Sequence, residues 1–360
     1  MNNKWWVGTA LAMLVGLAQA DESTLDPKLR TAAEGAMQKG LAYLRTHQLA
    51  DGSYTESVGV TGLVLRSFLE SPEWSPATDR ALVDRSIAYL LKNRQATGAI
   101  TERDSDVSYN TSLALDALVD ANDPKLKPVI AQGQTFLLKE QSDDEEGFGP
   151  SHPYYGGFGY EPNERPDMAN QMIAMEALRK TATNPKDPVW QKALVFISRS
   201  QNRTESNDQK GWVGNDGGFI YTPGSNTPPF KGTESYGAMT SAGLLSLLLC
   251  GADKQDPRVQ AAFNWIRNHY TLDTNAGTGL KDGLYYYYYA YAQAMAAMGE
   301  PVIVDGNGRK HNWRNELVEK LLSLQSADGS WINGESNRWM QDNRSLVTAF
   351  TLNALNYATR

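Results

Sequence analysis

One pattern recurs six times along the chain and narrows what it can fold into. With Thr61 as an anchor, the residue four on is Leu65, six on Ser67 and seven on Phe68. Thr111 leads likewise to Leu115, Ala117 and Leu118, Gln171 to Met175, Ala177 and Leu178, and Thr240 to Leu244, Ser246 and Leu247. Tyr291 leads to Met295, Ala297 and Met298, and Thr348 to Leu352, Ala354 and Leu355. Apolar side chains at +4 and +7 share one helix face, and a small residue at +6 lets a second helix come close. Six such helices, about 50 to 70 residues apart, are the signature of a repeat architecture.

A second set of amphipathic helices is expected between them, over Thr31–His47, Asp79–Lys92, Pro128–Lys139, Trp190–Arg199, Val259–Tyr270 and Asn312–Leu324. Most end in a glutamine, as at Gln48, Gln95, Gln141, Gln201 and Gln325, and a Gly-containing turn then leads into an anchored helix. The anchored helices are the more apolar and are placed inside; the charged set suits an outer wall. Six helix hairpins of this kind can close into an all-α (α/α)6 toroid.

The first twenty residues read as a leader. Lys4 precedes an apolar run from Trp5 to Leu17, and Ala18-Gln19-Ala20 offers a small-x-small cleavage site. This divides the chain into a signal peptide, 1–20, and one toroid domain, 21–360, with no integral membrane span after cleavage. The expected location is periplasmic or extracellular. A net charge of −7, with no basic block, argues against nucleic acid as a partner. Cys250 is the only cysteine and sits in an apolar run, where an inert thiol is expected. Four scattered histidines and no CxxC give no basis for a zinc site or other cofactor. The oligomeric state is not legible.

Gln48–Tyr54 and Gln325–Trp331 resemble the QW turns of squalene-hopene cyclases, and Gly217-Gly218-Phe219 and Gly156-Gly157-Phe158 resemble the GGF turns of protein prenyltransferase β-subunits. The mature chain as a whole resembles exported bacterial prenyltransferase and squalene oxidase repeat proteins. That resemblance implies the same toroid, with a ligand pocket where the inner helices begin. It also implies two chemistries whose residues are missing. The D-x-D-D acid of the cyclases would fall just before an anchor, where the third helix carries Asp167 but has Ala169 at the proton-donating position. The zinc histidine of the prenyltransferases would fall in the tyrosine-rich stretch Tyr285–Tyr291, which has no histidine.

What remains is a set of carboxylates and aromatic side chains at the starts of the inner helices. Asp106, Glu164 and Asp167 are the candidate catalytic groups, with Asp104, Glu161, Glu234 and Asp282 as further carboxylates at inner-helix starts; Asp167 also suits a helix N-cap. Tyr285, Tyr288 and Tyr289 share a helix face at i, i+3 and i+4. Together with Asn170 they are the candidate ligand-binding residues, Tyr288 or Tyr289 being expected to line the pocket and Tyr286 to serve folding. Three functions follow. An isoprenoid- or apolar-ligand-binding or structural envelope protein is placed ahead of catalysis because the usual acid and zinc ligands are absent. The alternatives are an altered terpenoid- or polyprenyl-handling enzyme and a carbohydrate-active hydrolase or lyase acting on a glycan.

Overall fold

The structure, a computed structural model, describes residues 24–161 and 164–360; the expected leader lies outside them. Six inner helices are α2 (Val58–Leu69), α4 (Val107–Asp120), α6 (Met168–Lys180), α8 (Gly237–Leu249), α10 (Leu284–Met298) and α12 (Arg344–Thr359). Six outer helices are α1 (Pro27–His47), α3 (Pro76–Lys92), α5 (Lys127–Lys139), α7 (Pro188–Arg199), α9 (Pro257–Asn268) and α11 (Trp313–Ser323). Each inner helix packs on the next, and α12 packs back on α2, so the ring is closed. The chain is an all-α toroid of helix hairpins. One small antiparallel hairpin, β1 (Val302–Val304) with β2 (Lys310–Asn312), precedes α11 and was not apparent from the helical pattern.

Burial follows the two helix types. In α2 every residue from Val58 to Phe68 is buried, whereas α1 buries one face, through Ala33, Ala36, Met37, Gly40, Leu41, Tyr43 and Leu44, and turns the other outward.

The anchors are polar for a reason the spacing alone does not give. Five of the six accept a backbone N–H from the turn that precedes their helix. The Thr61 hydroxyl takes that of Tyr54 at 2.9 Å, Thr111 that of Ile100 at 3.0 Å, Thr240 that of Phe219 at 3.0 Å and Thr348 that of Trp331 at 3.0 Å. The Gln171 side-chain oxygen takes that of Phe158 at 3.1 Å. A buried N–H without such a partner would cost about 1–3 kcal/mol.

The turn glutamines pin one hairpin to the next. The Gln48 amide donates to Gly52 in its own turn and to Leu82 in α3, and Gln141 and Gln201 repeat this toward Val189 in α7 and Arg258 in α9. Gln325 donates to Gly329 and to Ala36 in α1, both at 2.9 Å, which joins the last turn to the first helix. Gly329 holds φ at 88°, and a Cβ there would stand 2.6 Å from the Lys39 carbonyl oxygen, so neither the turn nor its approach to α1 admits a side chain.

In the fifth hairpin the anchor is Tyr288, not Tyr291. The Tyr288 hydroxyl donates to the Leu272 carbonyl in the preceding turn at 2.6 Å, and its +4, +6 and +7 residues, Ala292, Ala294 and Met295, are fully buried. The Tyr291 frame instead puts half-buried Ala297 at +6. A slip of three residues turns the helix by only about 60° short of a full turn, so apolar spacing alone does not separate the two registers.

Candidate functional site in the central cavity

A cavity of about 280 Å³ opens where the inner helices begin. With the corrected register, the residue two before each anchor reaches it in all six hairpins: Gly59, Tyr109, Ala169, Ala238, Tyr286 and Leu346. Two more tyrosines come from the turns. Tyr160 follows Phe158 by two residues and Tyr221 follows Phe219 by two, and both line the cavity. Two residues along extended chain return to the same side, so the turn that buries the phenylalanine backbone also aims the tyrosine. Phe230, Tyr236, Trp339 and Phe350 complete an aromatic wall, with the Phe230 ring 4.5 Å from Tyr236 and 5.8 Å from Trp339. The buried Tyr286 hydroxyl has no hydrogen-bond partner among the described residues. Trp339 and Met340, at φ 51° and 58°, hold a left-handed backbone conformation at the rim and stay partly exposed.

Asp167 caps α6 and lies behind the cavity wall, which it does not itself line. Its Oδ1 accepts the N–H groups of Ala169 and Asn170 at 2.9 and 3.0 Å, and Oδ2 accepts the Asn170 side-chain amide at 2.7 Å. The Tyr221 side chain approaches it from the cavity wall. The carboxyl is 1% exposed, and burial pushes its pKa above the usual carboxylate range, against the pull of those hydrogen bonds. Its charge in turn raises the pKa of Tyr109, Tyr160, Tyr221, Tyr236 and Tyr286, each of which burial raises first. Five cavity-lining tyrosines thus surround one buried carboxyl.

The other sequence candidates are dispersed. Asp106 lines the cavity at its rim, at φ 56°, with its carboxylate 2.5 Å from the Arg103 guanidinium. Glu164, Asp104 and Glu234 are exposed, Glu161 is half-buried, and Asp282 accepts a hydrogen bond from the Ser336 hydroxyl. Asn170 serves Asp167 and does not line the cavity. The expectation that Tyr288 or Tyr289 lines it is corrected, as is the assignment of Tyr285. Tyr288 bonds the outer turn at Leu272, Tyr285 packs edge-on against Tyr288, and Tyr289 meets Arg66 at 3.0 Å. Tyr286, assigned to folding, is the member of the stretch that faces the cavity; the one-turn register error exchanged them.

The far end of the axis is filled by charge. Positions five and nine after the anchors supply Arg66, Asp116 and Glu176, then Glu70, Asp120 and Lys180. Arg66 is fully buried and meets Glu176 and Glu70 at 2.9 Å, Asp120 at 3.3 Å and Asp116 at 3.4 Å, while Lys180 meets Asp120 at 2.7 Å and Glu70 at 3.0 Å. Burial drives the Asp116 carboxyl well above its usual range, and Asp120 is pushed up to about 6 by burial, against Lys180 and Arg66. Burial also opposes the Glu70 charge, but Arg66 and Lys180 outweigh it and hold that carboxyl low.

Among the described residues no group of three or more His, Cys, Asp or Glu side chains is arranged to hold a metal ion, and no helix is long and apolar enough to cross a membrane. The Cys250 thiol is buried beside the Met175 sulfur, and burial pushes its pKa up to about 12.

No known family profile and no curated protein sequence matches the chain. Solved structures do. The apo type II terpene cyclase MstE from Scytonema aligns over 92% of this chain and 99% of its own, at 13% identity and a TM-score of 0.56. A D-mannose isomerase aligns over 93% and 99%, at 13% identity and 0.60. The GH76A α-1,6-mannanase from Salegentibacter sp. HEL1_6 aligns over 91% and 99%, at 12% identity and 0.55. At these identities the likeness establishes the toroid, shared by terpene cyclases and carbohydrate-active enzymes, and not the chemistry.

Proposed function

We propose that this protein is an enzyme that holds an isoprenoid chain in the central cavity and acts on it by proton transfer from Asp167 through Tyr221. The observation that carries the reading is the buried carboxyl of raised pKa behind an aromatic wall. A buried carboxyl whose pKa is raised gives up its proton later than a free one and is suited to act as an acid. Aromatic ring faces stabilise a carbocation that water would otherwise quench. In the proposed step the Tyr221 O–H proton goes to an alkene carbon as the Asp167 proton moves onto the Tyr221 oxygen. The carboxylate left behind is held by the Ala169 and Asn170 N–H groups. Return of a proton from the rearranged cation to that carboxylate makes the net reaction an isomerisation, such as a cyclisation.

MstE, which shares the toroid, has been solved with geranylgeranyl dihydroxybenzoate as substrate and merosterolic acid A as product. This favours the enzyme readings over a purely structural envelope role. A retaining or inverting glycoside hydrolase needs two carboxylates across its substrate, whereas among the described residues Asp106 alone contributes one to the cavity lining. The volume, just under the usual range of ligand pockets, suits a short isoprenoid better than a triterpene. We also place the mature protein outside the cytoplasm, on the leader pattern from Lys4 to Ala20; N-terminal sequencing of the exported form should begin at Asp21.

The test incubates the protein with farnesyl and geranylgeranyl phenols and follows products of unchanged mass by chromatography. Asp167→Asn keeps a capping oxygen but no transferable acid proton, and Tyr221→Phe breaks the relay. Both should fold and lose product. Turnover that survives both substitutions would overturn the assignment.

A further inference from the structure

A second cavity, of about 440 Å³, lies at the opposite end of the ring, beyond the buried charges. Leu245, Leu249, Ala296 and Ala297, from the last turns of α8 and α10, give it an apolar wall. Arg314 and Arg360 also line it.

The two arginines differ in what neutralises them. Arg360 meets Glu70 at 2.5 Å, a carboxylate already shared with Arg66 and Lys180. Arg314 has no carboxylate partner among the described residues; its guanidinium lies 4.4 Å over the Trp313 ring. Burial, and then the nearby Arg30, lower its pKa. Arg314 also stands in the first turn of α11, where the helix dipole favours anions rather than cations. Among the described residues the one side-chain carboxylate lining the cavity, Glu176, is engaged by Arg66 at 2.9 Å and by the Tyr357 hydroxyl at 3.3 Å. An arginine kept half-buried, stacked and without a counter-ion beside an apolar wall is arranged to accept an oxyanion from outside.

We propose that this cavity binds a short amphiphile with an oxyanion head, the head on Arg314 and Arg360 and the tail against the leucine and alanine wall. The site is separate from the central cavity and does not depend on the chemistry assigned there.

Calorimetric titration of the purified protein with octanoate, octyl phosphate and octanol tests this. The two anions should bind and octanol should not; whichever anion binds more tightly identifies the head as carboxylate or phosphate. Arg314→Gln should weaken anion binding by about ten-fold or more, the effect of losing one charge-assisted hydrogen bond. Arg314→Lys, which keeps the charge, should retain most of it. Asp167→Asn and Tyr221→Phe should leave it unchanged, which separates failure here from failure of the central-cavity reading. Equal binding of octanol, no binding of either anion, or full binding by a folded Arg314→Gln protein would overturn the proposal.

Discussion

Arg66→Met should be among the most destabilising single changes in this protein, and Asp116→Asn, at a residue it touches, among the mildest. The axis carries Arg66 and Lys180, with Arg360 exposed at its mouth, against Glu70, Asp116, Asp120 and Glu176, three cations and four carboxylates. Burial favours the neutral form of Asp116 and brings the two sides level. Removing Arg66 takes away the cation that meets all four acids and leaves them repelling one another in a dry interior. Breaking a buried ion pair from one side costs about 3–5 kcal/mol, and methionine keeps the apolar stem, so the loss is electrostatic. Asp116 has one oxygen with no partner among the described residues and the other 3.4 Å from Arg66, the long end of its contacts. Asparagine there should cost no more than about 1 kcal/mol. Since the folded pKa of Asp116 lies above its unfolded value, its contribution is full below that value and is lost as pH rises through the folded one. Asp116→Asn should therefore gain on the wild type as pH is raised. Urea denaturation followed by far-UV circular dichroism at two pH values measures both. Equal losses for the two variants would refute the reasoning, because Asp116 would then be an ionised partner of Arg66.

Gln325→Leu removes two hydrogen bonds that join the last hairpin to the first and should cost about 2–3 kcal/mol in the same assay. Glu140, which accepts the Ser108 hydroxyl at 3.0 Å, is raised to about 7 by burial, so its contribution is full below its unfolded pKa and is lost as pH rises through about 7. Glu140→Gln should thus gain about 1 kcal/mol on the wild type at pH 8, a figure reduced for solvent screening, and match it at pH 4 in paired melts. Tyr286→Ala should weaken binding of a farnesyl phenol several-fold by calorimetry, the worth of one ring contact, whereas Tyr289→Ala should lower the melting temperature instead. Squalene should give no hopene, since Ala169 stands where that reaction places its acid.

Much of the ring was legible because both helix faces that pack, +4/+7 and +6, are written in side-chain size. The turn glutamines were legible as punctuation, though not as the donors that couple neighbouring hairpins. The axis was harder to read. Tyr286 and Tyr289 differ in sequence by one turn and in surroundings completely, and an alanine-rich helix offers nearly the same apolar pattern three residues apart. Polar spacing held the missing signal. Counting back from Tyr288 brings Gln293 into line with Arg66, Asp116 and Glu176, all five residues after their anchors, and places Tyr286 level with Tyr109 and Ala169. Asp167 was visible as an N-cap, but its companions Tyr160 and Tyr221 come from separate turns that only ring closure brings together.

The most direct measurement is product analysis of the purified protein incubated with a farnesyl phenol, the wild type beside Asp167→Asn. The account predicts a product of unchanged mass and altered retention from the wild type, and unaltered substrate from a folded, substrate-binding Asp167→Asn protein. Failure of the wild type to bind the compound, or equal conversion by both proteins, would contradict it.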